Sequence, residues 1–224
     1  RRAEFSLYRL KFLRIAAPAI DELGYIITLM GFVQPGMTFV DVGANVGLFS
    51  VFFAAVGEPA GFDVLAIEPD PKVYERLKAN LSPYLNARAI QCACSNIEGE
   101  GFLHESVSSL TNYLSINPQI EKETDFRRKG TTVRTIPLDT LLEGTQNRLV
   151  IKIDVEGHER EVLEGAASLL RGGQVKALLL DGINMTCAKW LRGLGFMQFD
   201  ALTLQESRSA SAALFTKGSR PCAE

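Results

Sequence analysis

The chain is poor in the residues that most readily betray a function. Two histidines, one tryptophan and four cysteines among 224 residues leave few ligands for a transition metal. Cys92, Cys94, Cys187 and Cys222 contain no CxxC pair and lack the density of a disulfide framework, so reduced thiols are expected and neither zinc nor a disulfide is assigned. A net charge of −2 lacks the basic excess that neutralises phosphates, which argues against a nucleic-acid partner. No apolar run approaches the roughly 20 residues of a membrane span, and the first residues do not have the layout of a signal peptide, so a cytoplasmic location is expected. The chain opens on Arg1 rather than methionine, as a fragment would.

What is present is an ordinary core-forming composition, 46% apolar, enough for one compact domain. Residues 5–20 mix Arg9, Lys11 and Arg14 with leucines, and are expected to dock as a helix rather than lie on a membrane surface. We take 1–36 as this N-terminal segment, 37–218 as the main domain with an insert around 99–137, and 219–224 as a tail. Strands are predicted at 38–42, 63–67, 87–94, 149–153 and 175–180. Helices are predicted at 46–56, 72–81, 158–171 and 185–194. Asp70 and Pro71 supply an N-cap and a first-turn proline for the second of these helices. Gly172 and Gly173 end the third.

Strands alternating with helices predict an α/β, Rossmann-like fold: a mainly parallel sheet covered on both faces. Segments 196–202 and 212–216 close it as an antiparallel hairpin. Between the third and fourth strands the rhythm breaks, with short strands at 101–104 and 132–136 and a polar connection between them. Its centre, 106–130, is a candidate acceptor wall or lid carrying Tyr113 and Phe126 as stacking surfaces.

Three motifs sit at the C-terminal ends of strands, where open α/β sheets bind ligands. Asp41-Val42-Gly43-Ala44-Asn45-Val46-Gly47 ends the first strand, its two glycines giving a ligand close access to the backbone. A GxGxxG turn would need glycine at 45 and 48, where Asn45 and Leu48 stand, so a dinucleotide site is not matched. The second strand ends in Glu68-Pro69-Asp70, where a carboxylate can accept both hydroxyls of a ribose. The ligand expected is nucleoside-like, without a diphosphate. The third motif, Lys152-Ile153-Asp154-Val155-Glu156-Gly157-His158-Glu159, crowds carboxylates and an imidazole after a buried apolar run. Asp154, Glu156 and His158 could ligate a divalent cation, but one loop supplying all three makes a poor cage, and no metal is assigned.

The DxGxxxG loop with Glu68 resembles the class I S-adenosylmethionine-dependent methyltransferases. The 152–166 segment, with DVGANVG, IEPDP and Ser108-Ser109-Leu110, closely resembles the FkbM family of that class from about Met37 to Gly173. That family is associated with O-methylation of natural products, sugars and lipid-linked glycans. The resemblance implies S-adenosyl-L-methionine as cofactor, held by Asp41, Gly43, Ala44, Asn45, Gly47, Glu68, Pro69, Ser95 and Asp154, with Glu68 on the ribose and Ser95 near the adenine. It implies a small-molecule or glycan hydroxyl as acceptor. Tetrapeptides typical of amino-directed methyltransferases are absent after the fourth strand, which favours oxygen over nitrogen.

Among the residues for chemistry, His158 is the first choice of general base and Glu156 the second, because a positioned imidazole or carboxylate can take the acceptor's proton. Asp154 faces the methionine end of the donor. Lys152 is expected to be buried with a paired head. Glu159 and Glu161 favour their helix N-terminus electrostatically. Asp181 stands where the family is expected to carry glutamate. The rival readings are a non-catalytic donor-binding module, a nicotinamide-dependent oxidoreductase and an RNA methyltransferase.

Overall fold

The structure, a computed structural model, describes residues 20–104, 113–115, 130–182, 185–209 and 212–218. Helix α1 (Ile20–Met30) leads to strand β1 (Thr38–Val42), helix α2 (Leu48–Ala60), strand β2 (Asp63–Ile67), helix α3 (Pro71–Leu81) and strand β3 (Ala87–Ile90). Strands β4 (Ala93–Cys94), β5 (Gly99–His104), β6 (Tyr113–Ser115) and β7 (Gly130–Ile136) follow. Helix α4 (Leu138–Leu141), strand β8 (Leu149–Ile153), helices α5 (Glu159–Glu164) and α6 (Ala167–Gly172), strand β9 (Val175–Asp181), helix α7 (Met185–Gly193) and strands β10 (Met197–Asp200) and β11 (Ala212–Thr216) complete it.

Seven strands form the main sheet in the order β10-β11-β9-β8-β1-β2-β3, and β11 runs antiparallel to both of its neighbours. The expected Rossmann-like sheet and its closing hairpin are therefore present. The strands nearest the centre are buried on both faces, as their largely apolar runs require, with Asp41 and Lys152 the charged exceptions. Alternation sends Val40 and Val42 into one core cluster and Phe39 into the other. Phe39 stacks on Phe53 of α2 with ring centroids 3.8 Å apart. Helix α1, within the N-terminal segment 1–36, contributes Tyr25, Ile26 and Leu29 to the second cluster, and Thr28 Oγ1 donates to the Ala201 carbonyl. None of the described helices is long and apolar enough to cross a membrane.

Two expected elements are divided. The strand expected over 87–94 leaves the main sheet after Ile90, and its last two residues pair with β7 in a second sheet of order β4-β7-β5-β6. Gln91 breaks the alternation, but the small apolar residues Cys92, Ala93 and Cys94 that follow it read as more of the same strand. The helix expected over 158–171 breaks at Gly165 and Ala166. Gly165 packs so closely on the backbone after β4 that a Cβ there would lie 1.9 Å from the Ser95 carbonyl oxygen. Asp139 then caps the restarted helix, accepting from the amides of Ser168 and Leu169. The apolar stripe continues across the break and hides it. The candidate lid residues 106–112 and 116–129, with Phe126, the Ser108-Ser109-Leu110 element, the Tyr113 side chain and the docking segment before Ile20, lie outside the described residues.

Candidate active site

A cleft of about 780 Å³, including its mouth open to solvent, lies at the C-terminal ends of β1, β2 and β8. Gly43, Asn45, Glu68, Asp154, Glu156 and His158 all face it, so the three motifs separated in sequence converge there. Pro69 also borders it, and Leu103 and Leu114 of the second sheet form an apolar wall. No spacing rule in the sequence pointed to that wall. Cys92 and Cys94 line the cleft as well, on the bend between the two sheets, and both are free thiols.

The glycine turn is built for close contact. The amides of Gly43 and Ala44 both donate to the Ile67 carbonyl, which ties the loop to β2. Gly43 takes φ +77°, and a Cβ on it would stand 1.9 Å from the Asp154 carbonyl oxygen, so only glycine lets β1 and β8 meet there. Gly47 is also left-handed, at φ +95°, and caps α2. Asn45 adopts φ +50°, the left-handed conformation that asparagine tolerates. That turn aims its amide at Glu68 Oε2, 2.9 Å away.

Glu68 accepts on both oxygens, from Asn45 N at Oε2 and from Asp70 N at Oε1, each at 2.9 Å. Each carboxylate oxygen offers about two acceptor positions, so one on each remains for a ligand. Burial pushes its carboxyl up to about 7, although the two amide hydrogen bonds pull the other way. A pair of hydroxyls donating to those two positions would stabilise the charged form. The residues fit a ribose diol on this ground.

Asp41 lies beneath the cleft rather than in its wall. It is fully buried, with Oδ2 accepting a 2.6 Å hydrogen bond from Ser50. Lys152 Nζ stands 3.5 Å from Asp41 Oδ1 and 3.2 Å from Asp154 Oδ2, and it lies over the Phe49 ring. Burial disfavours the ammonium, but Asp41 and Asp154 outweigh it and hold the lysine pKa above its ordinary value. The paired lysine expected from alternation is thus present, as the hub joining β1 to β8. Ala44 and Gly47 shape the turn without lining the cleft.

Ser95 likewise stays out of the cleft wall. It is buried, and its Oγ meets His158 Nε2 at 3.1 Å. The other ring nitrogen, Nδ1, lies 3.5 Å from Glu161 Oε2. Burial lowers the imidazole pKa, with Glu161 opposing it. Glu156, in contrast, is exposed to the cleft at φ +51° and makes no hydrogen bond among the described residues. Partial burial, followed by the carboxylates of Asp154, Glu159 and Asp181, raises its pKa, with Lys152 opposing. Glu159 is buried and accepts from Gly157 N, fixing the turn that precedes α5. Asp181, at the end of β9, is half-buried, and burial and Asp154 raise its carboxyl.

A sheet of this order, with a glycine turn after β1 and an acid ending β2, is the class I methyltransferase fold. Residues 41–183 match the family model of the methyltransferase FkbM domain, and the chain belongs to that family of methyltransferases. It is 32% identical over 193 residues to the 31-O-demethyl-FK506 methyltransferase FkbM of Streptomyces tacrolimicus, covering 73% of this chain and 74% of that one. It is 29% identical over 137 residues to the hexuronic acid methyltransferase AglP of Haloferax volcanii, covering 58% of this chain and 50% of that one. Among solved structures, the FkbM methyltransferase of Methylobacillus flagellatus KT superposes with a TM-score of 0.57 at 16% identity, over 82% of this chain and 44% of that one. That likeness concerns the fold alone.

Proposed function

We propose that this protein transfers a methyl group from S-adenosylmethionine to a hydroxyl of a small molecule, sugar or glycan. The observation that carries the reading is Glu68, which lines the cleft and whose two carboxylate oxygens each accept a single hydrogen bond from the protein, so each keeps a second acceptor position. Gly43 and Asn45 lie against the same region, and Asp154 carries negative charge to the methionine end. When bound, the donor supplies an activated methyl group. Asp41 and Lys152 support this wall from beneath, and free thiols at Cys92, Cys94 and Cys187 suit a reducing, cytoplasmic setting.

The chain's own contribution is to hold donor and acceptor about 3 Å apart and in line, removing the entropy of their encounter. An alcohol loses its proton as it is methylated, and Glu156 and His158 are the groups at that end of the cleft. A positioned base of this kind is worth roughly 100- to 10,000-fold in rate. The names of two relatives, a 31-O-demethyl-FK506 methyltransferase and a hexuronic acid methyltransferase, favour an oxygen acceptor.

Calorimetry with S-adenosylmethionine tests the donor. Binding is expected for the natural chain, with at least a tenfold loss in Glu68→Gln, since about 1.4 kcal/mol corresponds to tenfold and a hydrogen bond to a charged group contributes at least that. No binding by the natural chain would overturn the reading. Transfer of labelled methyl to a panel of sugars and polyketides then tests the acceptor.

A further inference from the structure

His158 borders the cleft and carries the chemistry expected of a base, yet both of its ring nitrogens already have partners inside the protein. Glu161 Oε2 on α5 faces Nδ1 at 3.5 Å, and a carboxylate has no hydrogen to give, so the hydrogen of that contact sits on Nδ1. In a neutral ring, Nε2 is then a bare acceptor, and the Ser95 hydroxyl donates to it at 3.1 Å in preference to Asn96 Oδ1, the more distant acceptor at 3.4 Å. The proton order of the chain Ser95, His158, Glu161 follows from the acceptor character of its last member. Arg160 and Glu164, the other charged neighbours on α5, pair with each other at 2.8 Å.

We propose that His158 is a positioning residue rather than the base: a neutral imidazole, protonated on Nδ1, pinned between Ser95 and Glu161 so that the turn at 155–157 presents Glu156 to the acceptor. This rests on the proposed methyltransferase reading of the cleft. The pin joins two places 63 positions apart in the chain, the end of β4 and the start of α5. Gly165 lets the Ser95 backbone approach α5 closely enough for the contact, since any Cβ would strike the Ser95 carbonyl. Between the pin and the end of β8 the chain has little freedom. Glu159 Oε1 holds the Gly157 amide, and Glu156 occupies the left-handed region at φ +51°, a strained conformation for a non-glycine residue. Such strain persists where the surroundings over-determine it, and here it leaves the Glu156 carboxylate in the cleft. With Nε2 occupied by Ser95, Glu156 is the acceptor-end group with its oxygens open.

The chain holds only two histidines, so ¹⁵N-histidine labelling with long-range ¹H–¹⁵N correlation reads the ring directly, assigned with a His104→Gln variant. The expected result at pH 7 is a neutral His158 with hydrogen on Nδ1. Glu161→Gln, a substitution at a partly exposed side chain, should lower the His158 titration midpoint and admit the Nε2–H form. Ser95→Ala should leave the hydrogen on Nδ1. A wild-type ring that is charged at pH 7, or that carries its hydrogen on Nε2, overturns the proposal, as does a tautomer and midpoint indifferent to Glu161→Gln. Calorimetry with S-adenosylhomocysteine on the same samples keeps the two questions apart. Failure to bind it counts against the donor reading, while the tautomer answers for the pin.

Discussion

At the scale of the residue, the cleft places charges where burial works against them and then compensates each differently. At Glu68 burial outweighs two amide hydrogen bonds, which is why its pKa is raised to about 7. The folded protein therefore holds a proton that the unfolded chain, with an ordinary value of 4.5, releases at lower pH. Stability drawn from this group is present below about 4.5 and is lost as pH rises through about 7. Thermal melts of the unliganded protein should fall across that window, and Glu68→Gln should flatten the fall. Donor affinity should run the other way, rising with pH as the carboxylate becomes the acceptor that a diol needs.

Lys152 is compensated most. Replacing it with methionine keeps the stem but leaves Asp41 buried with Ser50 as its remaining close partner. The expected loss is about 3–5 kcal/mol in urea denaturation, the cost of breaking a buried pair from one side. A loss below about 1 kcal/mol would mean that the pair adds little to stability.

At the scale of the element, the main strands were legible because buried parallel strands carry apolar runs that few other structures share. The N-cap of α3 was equally plain, and Asp70 accepts from the amides of Lys72 and Val73 there. What the sequence could not reveal depended on contacts between distant segments. The division of the third strand, the Leu103 and Leu114 wall and the pairing of Ser95 with His158 are all tertiary, and none can be read off the local pattern. Asp41 and Ser95 had the right residue types for ligand contact, yet both are turned inward by partners that no spacing identifies.

The cap on α6 belongs with these hidden features. It comes from Asp139, some 30 positions away, and holds two amides at once. Asp139→Ala should cost about 1 kcal/mol, measured as a shift of the chemical denaturation midpoint with unchanged slope. Because α6 follows the helix that carries the proposed pin, donor-product affinity should change little in that variant.

At the scale of the whole molecule, two apolar layers on either face of the sheet give the cleft a rigid floor, and the net charge contributes nothing to placing a ligand there. Loss of α1 would bare the layer that Tyr25, Ile26 and Leu29 complete. A chain beginning at residue 31 is expected to melt several degrees lower and to bind a hydrophobic dye, while keeping the pairing of β1 with β2 and β8 that hydrogen exchange reads.

The strand order also dictates a sequence of events during synthesis. Strand β11 lies between β9 and β10, although β10 leaves the ribosome first. Until residue 212 emerges, β9 is an open edge and β10 has nowhere to pair, so the nascent chain carries the glycine turn, Glu68 and Glu156 before it can close its own sheet. An unpaired apolar edge invites another chain. Nascent chains arrested before this point should therefore be the ones that chaperones hold longest.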